Sequence, residues 1–255
     1  MPWDPEVYNR YKDTRYKPFY DLLNLVEDLG AMECIDLGCG TGEQTATLAH
    51  RFKEAKILGI DSSAEMLEKS KAFENSRLSF RMESIEDNLE DQTSWDLIFS
   101  NAALQWLDKH EVLFPKIIAK LKTGGQLAIQ MPVQNENALN QILIKLVQEE
   151  PFASHLNHFI RKSPVLSMDQ YAKILFENQI KDIEIYQKVY PQIAENVDEL
   201  YDFISGSAMI PYLEILKGEI KDDFIQEFKK RIGEEYSRFP AIYAFKRLLI
   251  YGRNG

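Results

Sequence analysis

The stretch ECIDLGCGTG, residues 33–42, decides the fold of this chain. A short apolar run contains Asp36, and three glycines then alternate with other residues. Residues 44–52 follow with a composition that suits a helix. The order strand, glycine turn and helix is typical of the opening unit of a nucleotide-binding α/β sheet.

The charges around this turn favour a cationic ligand over a pyrophosphate. Gly38, Gly40 and Gly42 follow the spacing G-x-G-x-G. Glu43 stands where a dinucleotide motif has its last glycine. Asp36 and Glu43 would repel a pyrophosphate at the helix N-terminus, where exposed N–H groups attract anions. They suit S-adenosylmethionine, which carries an ammonium and a sulfonium and which bare glycine backbone lets approach closely. The alternative is a tight turn without a ligand.

A second acid follows the second predicted strand. Residues 55–60 form an apolar run that ends at Asp61, about 20 residues after the first glycine, where such folds place a ribose-binding carboxylate. We expect Asp61 to accept hydrogen bonds from both ribose hydroxyls. Ser62 and Glu65 have the spacing of a capping box, which would leave Asp61 free for a ligand. The alternative is that Asp61 caps the next helix.

Composition limits the classes of function. The 255 residues carry a net charge of −10, which argues against non-specific nucleic-acid binding. Cys34 and Cys39 lack zinc spacing, so we expect neither a metal site nor a disulfide framework. No signal-peptide pattern or membrane-spanning apolar run is present in the sequence. We therefore expect a cytoplasmic protein without membrane partners, as a monomer or a weak homodimer.

Strand and helix patterns alternate along the chain and predict a mostly parallel sheet with helices on both faces. Asp108 and Glu111 predict a capping box that opens a helix ending before Thr123. The further predicted strands are 77–82, 95–100, 126–131, 180–189 and 241–251, and the further predicted helices are 8–11, 15–29, 64–73, 136–148, 169–178, 197–205, 212–216 and 222–236.

Two mostly helical segments, 134–171 and 196–238, interrupt this pattern. We expect them to form a helical lid over the carboxyl ends of the strands, although residues 151–165 give few regular signals. The remaining ranges belong to the core. Residues 1–133 are predicted to form the cofactor-binding core with an N-terminal cap segment, 172–195 a core strand, and 239–255 the final core strand.

Ligands of open α/β sheets bind beyond the carboxyl ends of the strands. After the third strand, Ile85 is predicted to pack on the adenine ring, the alternative being a plain loop. After the fourth strand, Asn101 and Ala102 are predicted to border the reactive methyl group, because small side chains allow close approach. Trp106 is predicted either to wall the site or to lie in the core.

Longer segments carry a family resemblance. The chain resembles class I S-adenosylmethionine-dependent methyltransferases and, within them, the bacterial trans-aconitate 2-methyltransferases. The similar segments are Trp3-x-Pro5-x-x-Tyr8, Arg15-x-Lys17-Pro18, Gly59-Ile60-Asp61-Ser62-Ser63-x-x-Met66-Leu67, Asp96 to His110, Leu127-Ala128-x-Gln130-Met131-Pro132 and Phe245-x-Arg247-Leu248. The resemblance is weakest in the predicted lid.

The resemblance implies a Rossmann-like, seven-stranded sheet whose last strand is antiparallel. It implies methyl transfer to one carboxylate of trans-aconitate, giving a monomethyl ester and S-adenosylhomocysteine. The matched motif around Asp61 adds Met66 to the predicted cofactor site, which already includes Ser62 and Ser84 because they follow the second and third predicted strands. The family usually has Asp at position 84, so Glu83 or Glu86 is an alternative acceptor for the adenine amino group.

A carboxylate acceptor is already ionised at neutral pH and needs no general base. Catalysis would come from holding the reacting atoms in line with water excluded. The positioning candidates are Trp106, His110 and Arg15. The substrate candidates are Tyr8, Arg15, Gln105, His110 and Arg161, with Lys17 and Lys162 as further cations and a solvated surface as the alternative for each cation. Tyr8 and Tyr11 are predicted either to close over the cofactor or to lie in the core.

Three functions remain open from the sequence. The first is a carboxyl methyltransferase acting on a small polycarboxylic acid. The second is methyl esterification of a malonyl carrier-protein thioester, whose enzymes share the Asn-x-x-x-Gln-Trp pattern of residues 101–106. The third is a non-enzymatic protein that keeps the fold, against which the intact Asp36, glycines and Asp61 argue.

Overall fold

A computed structural model describes residues 12–255, with side chains from residue 16 onward. The chain forms two compact units. The core unit consists of Pro18–Pro132, Pro164–Lys188 and Arg247–Gly255. The helical unit consists, within the described chain, of 12–17, Val133–Ser163 and Val189–Lys246.

The helices and strands alternate through the first half of the chain. The strands are β1 (Glu33–Leu37), β2 (Lys56–Asp61), β3 (Leu78–Met82), β4 (Trp95–Asn101), β5 (Leu121–Pro132), β6 (Ile180–Ala194) and β7 (Ala241–Asn254). The α-helices are α1 (Lys12–Leu23), α2 (Glu43–Arg51), α3 (Ala64–Ser70), α4 (Ile85–Asn88), α5 (His110–Ile118), α6 (Ala138–Leu146), α7 (Phe152–His155), α8 (Met168–Glu177), α9 (Val197–Ser205), α10 (Ile210–Ile215) and α11 (Glu219–Glu235).

The strands form one seven-stranded sheet in the order β3-β2-β1-β4-β5-β7-β6. The pairs β1–β2, β1–β4, β2–β3 and β4–β5 are parallel, and β5–β7 is antiparallel. This confirms the predicted fold class. The strand order reverses between β1 and β4, and ligands of such sheets bind at that switch point.

One face of the sheet is covered by α1 and α2. Phe19, Leu48 and Phe52 are at most 1% exposed and pack with Phe99 of β4 and Leu249 of β7. The ring of Phe19 meets that of Phe99 edge to face, with centroids 5.7 Å apart. The centre of β4, with Leu97, Ile98 and Phe99, is a continuous apolar run, as expected for a strand covered on both faces.

The helical unit has its own apolar core. Phe224, Phe228 and Ile232 of α11 recur every four residues and are fully buried, which places them on one face of the helix. Phe152 and Phe203 pack edge to face, on Phe224 and Phe245 respectively. The function of this unit as a lid remains a prediction.

Several predicted boundaries differ from the observed ones. The first helix ends at Leu23 rather than Leu29, whose side chain is 49% exposed and so does not continue a buried face. The strand predicted as 126–131 begins at Leu121, and that predicted as 180–189 continues to Ala194. The predicted helix 8–11 lies outside the described residues.

Both predicted capping boxes are wrong. The cap of α3 is Ser63, one residue after the predicted Ser62, and its side chain accepts from the Met66 N–H at 3.3 Å. At α5 the cap position is Lys109, in a left-handed conformation and without a capping side chain, so Asp108 lies one residue too early.

Residues 12–255 contain neither a candidate membrane span nor a candidate metal site. No helix there is long and apolar enough to cross a membrane. No group of three or more His, Cys, Asp or Glu side chains in that range has the arrangement to hold a metal ion.

Candidate active site

The glycine turn connects β1 to α2, and its glycines meet two different constraints. A Cβ at Gly38 would lie 2.2 Å from that of Ala103, and one at Gly42 would lie 2.6 Å from the Phe80 ring. A Cβ at Gly40 would meet nothing within 4 Å. All three residues have positive φ angles. Packing inside the protein therefore requires glycine at 38 and 42, whereas Gly40 is the position where the backbone borders open space.

The Asp61 carboxylate fixes the backbone of the turn. Its Oδ2 accepts from the Gly40 N–H at 2.9 Å and its Oδ1 accepts from the Ser63 N–H at 2.8 Å. The predicted capping box had implied that Asp61 has no protein partner. The structure contradicts this, because the carboxylate accepts from two backbone amides. Each carboxylate oxygen has further lone pairs, so the residue can still accept from two hydroxyls of a ligand.

Asp36 is the buried acid of the site. It is 4% exposed, and its Oδ2 accepts from the Thr45 hydroxyl at 2.7 Å. Burial raises the pKa of Asp36 to about 7; the Thr45 hydrogen bond opposes this rise, and the charge of Asp61 adds to it. A cation bound next to this carboxylate would favour its charged form.

The segment after β3 forms the short helix α4 instead of the loop predicted as one alternative. Ser84 caps it, accepting from the Asp87 N–H at 3.0 Å and donating to the Asp87 carboxylate at 2.7 Å. Ile85 is only 8% exposed. Glu83 accepts from the Asn88 side chain at 2.9 Å. Ser84 and Glu83 are thus already engaged, and their predicted contact with adenine remains a prediction.

The end of β4 places Asn101 against the first turn of α2. The Asn101 Nδ2 donates to Gln44 Oε1 at 2.9 Å. The other side-chain atom of Asn101, Oδ1, is buried and finds no hydrogen-bond partner among the described residues. A buried acceptor without a partner costs free energy, so a bound ligand or water satisfies it best.

The loop after Asn101 has a strained backbone. Ala102 has φ 58°, a left-handed conformation that is rare for a residue other than glycine. The Gln105 Nε2 donates to the Ala102 carbonyl at 2.6 Å, so this predicted substrate residue is buried against its own loop. Trp106 is 43% exposed, which excludes the core alternative and leaves its indole accessible at the surface.

The buried side chain of His110 is hydrogen-bonded to the backbone of this loop. Its Nε2 lies 3.0 Å from the carbonyl oxygens of both Leu104 and Leu107. Its Nδ1 lies 2.5 Å from the Tyr171 hydroxyl. Because carbonyls only accept, Nε2 carries the hydrogen and Nδ1 accepts from Tyr171. Burial also lowers the pKa of His110. The prediction that His110 contacts a substrate is therefore not supported, since both ring nitrogens are bonded inside a fully buried site.

The remaining predicted residues are divided between the two units, and some of them lie outside the described part of the chain. Tyr8 and Tyr11 precede the described residues, and the side chain of Arg15 is not described. Lys17, Arg161 and Lys162 belong to the helical unit, where the Arg161 N–H donates to the Tyr212 hydroxyl at 2.9 Å. Ser62 precedes the capping residue Ser63, and the Met66 N–H donates to the Ser63 side chain.

Sequence reasoning missed three residues at or beside the carboxyl ends of the strands. Met82 pairs with Asp61 at the end of β3 and is 66% exposed, an unusual exposure for a large apolar side chain. Gln44 bonds Asn101 across the β1–β4 switch point. Gln130 pairs with Asn101 at the end of β5, and its position in a family-like segment was the only signal for it.

Together these residues fit a ligand with positive charge and hydroxyl groups. Asp36 and Asp61 supply carboxylates, Gly40 supplies an open stretch of backbone, and Asn101 supplies an unsatisfied acceptor. These are the groups that an S-adenosylmethionine molecule would need around its ammonium, sulfonium and ribose. The site residues therefore fit that group.

Comparison with known proteins gives one consistent answer. A family model described as a methyltransferase domain matches residues 29–198. The trans-aconitate 2-methyltransferase of Deinococcus radiodurans is 38% identical over 98% of this chain and 97% of its own length. That of Variovorax paradoxus is 30% identical over 99% of this chain and 96% of its own length.

Solved structures share the fold at low sequence identity. The YcgJ protein of Bacillus subtilis superposes with a TM-score of 0.61 at 16% identity, over 94% of this chain and 98% of its own. The phosphoethanolamine N-methyltransferase 2 of Haemonchus contortus, solved with S-adenosylhomocysteine, has a TM-score of 0.57 at 17% identity. The match covers 94% of this chain, which spans about half of that enzyme, 52%.

Proposed function

Since this chain belongs to the S-adenosylmethionine-dependent methyltransferases, we propose that it transfers a methyl group to a carboxylate of a small polycarboxylic acid of the trans-aconitate type, giving a methyl ester. The observation that carries this proposal is the extent of the similarity. The trans-aconitate 2-methyltransferases match nearly the whole chain, including the helical unit, and not only the cofactor-binding segment.

The core unit supplies the residues that would hold the cofactor. When bound, S-adenosylmethionine supplies a methyl group activated by a positively charged sulfur. Asp36 and Asp61 would balance positive charge, and Asp61 can accept from ribose hydroxyls while it keeps its bonds to the backbone. Gly40 leaves its backbone accessible. Trp106, being 43% exposed, is suited to shield the site from water.

The acceptor itself removes the need for a general base. A carboxylic acid with an ordinary pKa near 4 is ionised at neutral pH and attacks without losing a proton in the reaction. His110, the histidine nearest in sequence to the site loop, is buried and bonded through both ring nitrogens. The contribution of this chain is to hold the acceptor oxygen in line and to exclude water.

A methyl-transfer assay tests the proposal. The protein would be incubated with methyl-labelled S-adenosylmethionine and, separately, with trans-aconitate, a saturated tricarboxylate, a monocarboxylate or a malonyl-loaded carrier protein. We expect label on trans-aconitate that alkali releases as methanol, as for a methyl ester. The Asp61→Ala variant is the matched control and should transfer much less label at low cofactor concentration.

Other outcomes contradict the proposal in different ways. Label on the carrier protein alone would support the thioester alternative. No label on any acceptor, together with no heat on titration of S-adenosylmethionine, would indicate a non-enzymatic protein. The expected monomer or weak homodimer and the expected cytoplasmic location remain predictions from the sequence.

A further inference from the structure

Three polar side chains share one face of the sheet at its carboxyl edge. Asn101 of β4 pairs with Gln130 of β5, and paired residues present their side chains on the same face. Pro132 pairs with Arg247 of β7, and Gln130 pairs with Leu249. Arg247 and Gln130 are therefore diagonal neighbours on that face, with Cα atoms about 7–8 Å apart.

Gln130 is in an unusual state for a core residue. Its side chain is only 1% exposed, and its Nε2 finds no hydrogen-bond partner among residues 12–255. The neighbouring Asn101 Oδ1 is buried and in the same condition. Buried side-chain polar atoms nearly always have a partner. At the ligand-binding edge, these two atoms indicate two missing ligand groups. The acceptor Asn101 Oδ1 suits a donor group of the cofactor, whereas the donor Gln130 Nε2 suits an accepting group of a second ligand.

Gln126, on the same strand, is a buried amide whose oxygen and nitrogen both have hydrogen-bond partners. It lies four residues earlier, on the same face of β5. Its Oε1 accepts from the Glu27 N–H at 2.8 Å and from the Tyr251 hydroxyl at 2.9 Å. Its Nε2 donates to the Glu27 carbonyl at 2.9 Å. The fold is thus able to satisfy a buried amide fully, and it leaves Gln130 with a spare donor.

The carboxyl edge of the sheet also divides by charge. We call the ends of β1, β2 and β3, with Asp36, Asp61 and Glu83, the donor half. We call the ends of β4 and β5 and the facing part of β7, with Asn101, Gln130 and Arg247, the acceptor half. The donor half carries carboxylates, whereas the acceptor half carries two amides and a guanidinium.

We propose that Gln130 and Arg247 form a subsite that binds a carboxylate of the methyl acceptor, an inference that rests on the proposed function. The carboxylate is one that is not methylated, because a guanidinium on the attacking oxygen would occupy its lone pairs and weaken its attack. Arg247 supplies the charge and the Gln130 Nε2 supplies a directed hydrogen bond. The subsite selects acids that carry a second carboxylate.

The first test compares Gln130→Met with Gln126→Met in the full-length protein. Gln130→Met removes a donor without a protein partner, so we expect an unchanged or higher Tm and a KM for trans-aconitate raised about 10- to 100-fold. Gln126→Met breaks satisfied bonds, so we expect a lower Tm and an unchanged KM. The affinity for S-adenosylhomocysteine should stay within about twofold of wild type in both variants.

The second test addresses the charge. Arg247→Met should lower kcat/KM for trans-aconitate far more than for a monocarboxylic analogue, whereas Arg247→Lys should keep part of the preference. A purely structural role would lower both activities together. If Arg247→Met does not fold, the Arg247→Lys variant still reports the change in preference.

The outcomes separate the two proposals. If the wild-type protein methylates no polycarboxylate, the proposed function is wrong. Active wild-type protein whose KM is unchanged by Gln130→Met and whose acid preference is unchanged by Arg247→Lys rejects the subsite alone. A loss of S-adenosylhomocysteine affinity in Gln130→Met, with an unchanged KM for trans-aconitate, would assign this amide to the cofactor and also reject the subsite.

Discussion

The donor half and the acceptor half of the sheet edge are built in opposite ways. In the donor half, the carboxylates of Asp36 and Asp61 already have protein partners, so the turn is rigid before any ligand binds. In the acceptor half, the Gln130 side chain retains a buried donor, Nε2, without a partner among the described residues. A donor half whose side chains are already held by the protein suits a cofactor that is always the same. An acceptor half whose hydrogen bonds are completed only by the ligand suits selection among similar acids.

The largest expected effect tests the rigidity of the donor half. Gly38→Ala puts a Cβ 2.2 Å from that of Ala103 at a residue with positive φ. Overpacking and the left-handed backbone should together lower the free energy of unfolding by about 3 kcal/mol, measured by urea denaturation.

Gly40→Ala is the matched control for Gly38→Ala. A side chain there has open space, so the loss should be only about 1–2 kcal/mol, from the positive φ alone. The added methyl group would nevertheless weaken cofactor binding. Equal stability losses in the two variants would show that packing does not distinguish these glycines.

The next effect concerns Asp61. Asp61→Ala should weaken S-adenosylmethionine binding by about 1.5–3 kcal/mol, as expected for hydrogen bonds to a charged group, measured by calorimetric titration. The variant should also lose about 1 kcal/mol of stability, because the Gly40 and Ser63 amides lose their acceptor. Glu65→Ala, at an exposed position on the same segment, should change neither quantity. Unaltered affinity in Asp61→Ala would remove Asp61 from the site.

A smaller effect follows from the pKa of Asp36, raised to about 7 by burial. The folded state binds the proton of the Asp36 carboxyl group more tightly than the unfolded chain does. The contribution of Asp36 to the free energy of unfolding therefore falls as pH rises from about 4 to 7. A bound cation favours the carboxylate, so S-adenosylmethionine affinity should rise about tenfold from pH 6 to pH 7.5. Asp36→Asn should abolish both dependences; a variant that keeps the wild-type pH profile of binding would contradict the assignment.

The smallest effect concerns the loop that joins the two halves. Tyr171→Phe removes the hydroxyl that donates to His110 Nδ1 and accepts from the Leu166 N–H at 3.2 Å. We expect a loss of about 1 kcal/mol of stability in urea denaturation, with a similar affinity for S-adenosylhomocysteine. A large loss of cofactor affinity would show that His110 orders the donor half as well.

The donor half was predictable because its signals are local. The glycine spacing, Asp36 and Asp61 all lie within about 30 residues, and each follows a short apolar strand. Local signals failed where backbone detail decided the outcome. The cap of α3 moved from Ser62 to Ser63, and Lys109 adopted a left-handed conformation in place of a cap at Asp108.

The acceptor half was not predictable from local signals. Gln130 and Arg247 lie on strands separated by more than a hundred residues, and only the antiparallel register of β5 and β7 makes them neighbours. The sequence predicted His110 as a substrate residue and gave no sign of its actual partner. That partner, Tyr171, is distant in sequence and meets His110 only in the folded protein. Contacts of this kind depend on tertiary pairing, which no short pattern in a single sequence encodes.

The Phe80 ring has an evolutionary consequence. The ring lies where side chains at Gly42 and Gly59 would otherwise be. Cβ atoms at these two positions would lie 2.6 Å and 2.7 Å from ring atoms. Gly42 has a positive φ and must stay glycine whatever faces it, but no such backbone constraint holds Gly59. Positions 59 and 80 are therefore expected to covary among relatives. Phe80→Leu should rescue a destabilised Gly59→Ala chain, whereas it should leave Gly42→Ala unrescued.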